Sequence, residues 1–160
     1  MALQLMVSPN TFFLAPDDWP NIAFRLCLAV FLGGIIGLER ERRRKPAGLR
    51  THMLVSVASA IFVIVILQTD IEPGDYNGLS RVIQGVATGV GFLGAGEILR
   101  ETSDEESPRV EVRGLTSAAA IWTSAGLGIT AGCGLWQLGL LSILVSFLIL
   151  YVVKEYERRI

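Results

Sequence analysis

The chain has one histidine and two cysteines, too few for most imidazole- and thiolate-based sites. His52 alone cannot supply the two imidazoles of an HExxH zinc site, and Cys27 and Cys133 do not form a metal-spaced pair. No Walker loop is present. A Ser–His–acid enzyme would need His52 beside a serine such as Ser56, one helical turn away, and helical neighbours of that kind are ordinary. The chain is therefore not expected to be an enzyme. Lys and Arg are absent from residues 1–21, from 70–80 and from the turn around Cys133. Without a basic n-region, the N-terminal segment does not read as a cleaved signal peptide.

The basic residues that do exist are clustered. Twelve of the fourteen fall into three groups: Arg40, Arg42, Arg43, Arg44, Lys45 and Arg50; Arg100, Arg109 and Arg113; Lys154, Arg158 and Arg159. Each group sits at one end of a long apolar stretch. By the positive-inside rule, this asymmetry predicts a multi-pass membrane protein with its N-terminus outside and its C-terminus in the cytoplasm. Composition agrees: 51% of residues are hydrophobic, mean hydropathy is +0.51, and 17 residues are glycine. Nucleic acid is not an expected partner; the bilayer is.

The pattern predicts an all-α polytopic membrane bundle of five transmembrane helices, at 22–38, 51–68, 82–99, 114–131 and 135–153. At about 1.5 Å per residue, each covers most of a ~30 Å hydrocarbon core. The domain plan is an extracytoplasmic segment 1–21, a transmembrane domain 22–153 and a short cytoplasmic tail 154–160. Asp18 and Pro20 mark a helix start, and Trp19 and Trp136 fall at the outer interface. Cys27 and Cys133 both map to the outer half, and two buried free thiols are preferred over a disulfide.

Spans one and two resemble spans three and four. Each pair begins with an outer Arg (Arg25, Arg81), passes glycines to an inner acid (Glu39, Glu97), and returns through Gly48-Leu49-Arg50-Thr51 or Gly114-Leu115-Thr116. Either a parallel repeat or the general likeness of glycine-rich membrane hairpins accounts for this. The small residues form stripes: Gly33 and Gly37 with Ala29 in span one, and Gly85, Gly89 and Gly96 in span three, where Gly91 and Gly94 open a second face. Span three is thus expected to be central, with backbones touching at Gly33 and Gly89. Span four offers Ser117, Ala120, Ser124 and Gly128 on one side, whereas the bulky span five should face lipid. A homodimer through one stripe is the secondary reading. The formal GxGxxG at 89–94 lies inside a helix and is not a dinucleotide site.

Polar residues within the spans carry the functional candidates. Arg25 and Arg81 lie within a turn of the outer boundary and can snorkel outward. Glu39, Glu97, Arg50, Thr51 and His52 are expected to form a polar ring at the inner mouth, with Ser56 and Ser59 continuing the His52 face and Thr116 opening span four. One reading is a salt-bridge clamp on the helix ends. The other is a cation or proton site, with Glu39 and Glu97 as the candidate metal ligands. No cofactor is expected, with Mg²⁺ as the alternative. No carboxylate falls near the bilayer midplane, which counts against ion-coupled transport as the primary activity.

Four ordered motifs, Gly37-Leu38-Glu39-Arg40-Glu41, Ala47-Gly48-Leu49-Arg50-Thr51-His52, Gly91-Phe92-Leu93-Gly94-Ala95-Gly96 and Gly114-Leu115-Thr116 leading to Ala118-Ala119 and Trp122, resemble the MgtC/SapB family of bacterial membrane proteins. They cover about residues 25–134. The resemblance implies an inner-membrane protein associated with Mg²⁺ limitation, acid stress or, in pathogens, survival and virulence inside host cells. It implies action on another membrane complex, in some members the proton-translocating ATP synthase, rather than Mg²⁺ carriage. Longer members carry a soluble domain after the last span, and any function residing there is not expected here. Ser117 stands where a second threonine is common, and still supplies a hydroxyl.

Overall fold

Five helices follow one another with short or undescribed connections in a computed structural model that describes residues 14–15, 17–69, 77–100 and 114–153. The expected N-terminal segment through 13, the loop basics between 101 and 113 and the tail 154–160 lie outside the described residues. The helices are α1 (Trp19–Arg42), α2 (Leu49–Thr69), α3 (Asn77–Arg100), α4 (Leu115–Gly132) and α5 (Trp136–Leu148), the last continued by a π-helical turn Ile149–Val153. Among the described residues there is no strand, as the all-α reading requires. α1 and α2 are long and apolar enough to cross a membrane, and Trp136–Tyr151 is a shorter apolar helix.

Local chemistry sets the ends. Asp18 caps α1 by accepting from the Asn21 amide at 3.2 Å, and Pro20 occupies the first turn, where no N–H partner is needed. Arg40 and Arg42 close its last turn, where cations complement the helix dipole. Gly114 precedes α4 with φ of 91°, a left-handed conformation that a side chain would strain.

α2 and α4 form the centre. α2 packs on α1 and α4, α4 also receives α1 and α3, and α5 lies against α1 and α4. Glycine makes these approaches close. A Cβ on Gly33 would come 2.6 Å from the His52 carbonyl oxygen, and one on Gly37 would come 2.8 Å from Leu49 Cα. On α4, a Cβ at Gly128 would collide with the Ser56 carbonyl, and one at Gly132 would sit 2.8 Å from Val63 Cβ. Around these contacts Ala29, Leu32, Ile36, Ala60, Leu127 and Ala131 form the main core.

α3 corrects the expectation of a central third span. It leans mainly on α4 and buries one ridge, Val86, Val90, Gly94 and Glu97, spaced so that they share a face. Gly94 meets the Ala118 methyl, and the Trp122 indole donates to the Ala87 carbonyl at 3.2 Å. Gly85, Gly89, Gly91 and Gly96 have open space where a Cβ would stand. The small face of α4 had already been filled by α2, so α3 packs from the side. An apolar groove of about 560 Å³ runs between α2 and α3, walled by Val55, Ala58, Phe62, Gly85, Gly89 and Leu93 among others, with no charged group in its lining.

Candidate functional site

The row that places Gly33 and Gly37 against α2 continues, at helical spacing, to Arg40. Its guanidinium therefore turns inward, and Arg40 is only 1% exposed. Such a burial needs a counter-charge. Glu39, 7% exposed, provides it: Arg40 Nε donates to one carboxylate oxygen at 2.5 Å, and Arg43 Nε donates to the other. Across the hairpin stands His52 with no exposed surface, its Nδ1 3.0 Å from the Gly48 carbonyl, and Arg40 and Glu39 are the charged groups that act on it. The next turns are satisfied hydroxyls. Ser56 Oγ donates to the Ala29 carbonyl at 2.8 Å and Ser59 Oγ to the Val55 carbonyl at 2.8 Å.

The turn joining α1 to α2 is tied to the same acids. Glu41 accepts from the Leu49 amide at 3.0 Å, serving as the cap of α2, and lies so close over Gly48 that a Cβ there would collide with it. Arg44 holds φ of 53°, and the amides of Arg44 and Lys45 return to the carbonyls of Glu41 and Arg40 at 2.9 and 3.0 Å.

The expected ring is only partly assembled. Glu39 and His52 meet, but their companion is Arg40, whereas Arg50 is exposed and Thr51 half-buried. Thr116 is exposed. Glu97 is 8% exposed beside the start of α4, its carbonyl 3.0 Å from where a Gly114 Cβ would stand, and its Oε1 has no hydrogen-bond partner. The arrangement does not fit a resident Mg²⁺. Both Glu39 oxygens are taken by guanidinium groups, and no cluster of three His, Cys, Asp or Glu side chains occurs among the described residues.

At the other end of the bundle, Arg25 corrects the snorkelling expectation. It is 3% exposed and turned inward, donating to the Gly132 carbonyl at 2.7 Å and to Asn21 Oδ1 at 3.0 Å. The C-terminal end of α4 presents the negative pole of its dipole and the Gly132 carbonyl to the cation. Cys133, buried beside it, is a free thiol pushed up to about 11 by burial, which the nearby Arg25 charge only partly opposes. Cys27 is free but exposed, not buried as expected, because it lies on the outward side of α1.

The sequence profile of the MgtC family matches residues 26–159, from the first turns of α1 past the end of the last helix. The chain belongs to the MgtC family. Protein SrpB of Synechococcus elongatus is 49% identical over 152 residues, covering 93% of this chain and 84% of SrpB. YhiD of Escherichia coli, whose name carries a provisional magnesium-transporter description, is 41% identical over 140 residues, 85% of this chain and 62% of YhiD. MgtC of Salmonella typhimurium is 36% identical over 136 residues, 84% of this chain but 53% of MgtC, so the chain spans about half of that relative. No solved structure matches.

The MgtC-family motifs now have places. The first is the C-terminal end of α1 and holds the Glu39–Arg40 pair; the second is the turn and the start of α2 with His52; the last opens α4 beneath Glu97. Arg40, Arg43 and Glu41 were not among the candidate site residues. In the sequence Arg40 and Arg43 belong to the basic cluster and Glu41 to a family motif, and only the spacing of Arg40 from Gly33 and Gly37 signalled a buried role.

Proposed function

We propose that this MgtC-family membrane protein supports Mg²⁺ homeostasis and adaptation to low Mg²⁺ and acid by acting on other membrane complexes through the Glu39–Arg40–His52 cluster. In this reading it is not an enzyme. It lies in the bacterial inner membrane, crosses it five times and holds the cluster at the cytoplasmic end of the α1–α2 hairpin. One observation carries the assignment: a buried, doubly paired carboxylate beside a fully buried imidazole, at the end of the hairpin that the basic residues mark as cytoplasmic. The magnesium description in the name of YhiD supports the ion. The uncharged lining of the α2–α3 groove favours an accessory role over conduction.

Growth complementation at low Mg²⁺ tests this. Glu39→Gln, scored only where it reaches the membrane at normal levels, is expected to fail to complement. Full complementation would reduce the cluster to a helix clamp. Flux of Mg²⁺ and protons in proteoliposomes of the purified protein is expected to stay at background; clear flux would make the chain a transporter instead.

A further inference from the structure

We infer that His52 is a proton-accepting site whose charging loosens α1 from α2. The ring chemistry follows from one contact. Nδ1 lies 3.0 Å from the Gly48 carbonyl oxygen, which can only accept, so Nδ1 carries the hydrogen. A neutral ring then presents a bare lone pair at Nε2. That atom is buried and has no hydrogen-bond partner; among the described residues, Glu97 Oε1 is the one other buried side-chain atom in this condition. The nearby Ser56 and Ser59 hydroxyls, by contrast, each find a partner.

The carboxylate that acts on the ring, Glu39, is already engaged. From α1 it faces Arg40 and Glu39, and both Glu39 oxygens already accept from Arg40 and Arg43. On α2 itself the nearest ionisable side chain is the exposed Arg50. α4 carries no titratable side chain, and the sole carboxylate of α3 is Glu97. Adding one proton at Nε2 converts the neutral ring to imidazolium, with water at the cytoplasmic mouth as the donor. The new cation then stands beside Arg40 in an interface so close that a Cβ at Gly33 or Gly37 would come within 2.6–3.2 Å of α2. Opening of the inner end of the hairpin relieves it by admitting water. The proposal gives the cluster a trigger. It rests on the functional reading for its consequence in the cell, while the titration stands apart from it.

His52 is the only histidine in the chain, so a ¹⁵N-histidine label reports it alone. Solid-state NMR of the full chain in phosphatidylethanolamine–phosphatidylglycerol vesicles should show an Nδ1–H ring with bare Nε2 near pH 8. Toward about pH 5 it should show imidazolium. Spin labels at Leu38→Cys and Leu54→Cys, both exposed, in a Cys27→Ser background should separate over the same pH range. In His52→Gln that separation should be lost. An Nε2–H ring at neutral pH, a ring that stays neutral to pH 5, or a titration with no change in separation would overturn the proposal. These readouts on the parent sequence stand even if His52→Gln does not fold. Failure of complementation by parent-like protein would strike the functional reading alone.

Discussion

Arg25 joins two helices through one side chain, donating to Asn21 on its own helix and to the Gly132 carbonyl on α4. Because the guanidinium is buried, removing it strands that carbonyl. Arg25→Met is expected to cost about 2 kcal/mol of stability in detergent unfolding, more than Arg81→Met, whose side chain is exposed. Its neighbour Cys133 gives a pH prediction. With the thiol raised from 9.0 to about 11, folded Cys27→Ser protein at pH 8 should label far more slowly with maleimide than the same protein unfolded in SDS. The sign follows: the stability contribution of the protonated thiol is complete below about pH 9 and is lost as pH rises through about 11. Both residues were visible in the sequence, but not their orientation. An arginine one turn from a membrane boundary can snorkel or cap, and the choice depends on whether another helix ends within its reach.

At the scale of elements, the glycines divide into filled and open. At Gly33 and Gly37 of α1 and Gly128 and Gly132 of α4, α2 comes so close that a methyl group would overlap its backbone. Gly33→Ala and Gly128→Ala are therefore expected to destabilise by about 1–3 kcal/mol. On α3, Gly89 meets nothing within 4 Å. Gly89→Ala should instead stabilise the isolated chain by up to about 1 kcal/mol, through helix propensity alone. Thermal unfolding of the three variants decides the matter, and equal losses at Gly33 and Gly89 would restore α3 to the centre. Helix existence was legible because apolar runs of span length leave few alternatives. α1 then extends from the expected 22–38 to Trp19–Arg42 because Asp18 caps one end and the Glu39–Arg40–Arg43 pairing holds the other. Glycine content showed that α3 could be approached closely. It could not show by what.

For the whole molecule, the clustered basic residues make a topology prediction. In spheroplasts, Asn77→Cys in a Cys27→Ser background should label with a membrane-impermeant maleimide from outside, and Arg44→Cys only after permeabilisation. Labelling of Arg44→Cys from outside would invert the molecule and place the Glu39 cluster on the wrong face. The sequence alone determined that this is a helical membrane protein, where its helices begin and end to within a few residues, and that it resembles the MgtC family. Those properties are written in local hydropathy, caps and charge position, which need no knowledge of neighbours. Only the tertiary structure decided that α2 and α4 take the centre, that Arg40 and not Arg50 joins Glu39 and His52, and that Gly85, Gly89, Gly91 and Gly96 of α3 stay open. A small face permits close packing with any complementary surface, so lipid-embedded helices choose partners by shape and by the pairing of buried polar groups. That choice exists only once all the helices are assembled.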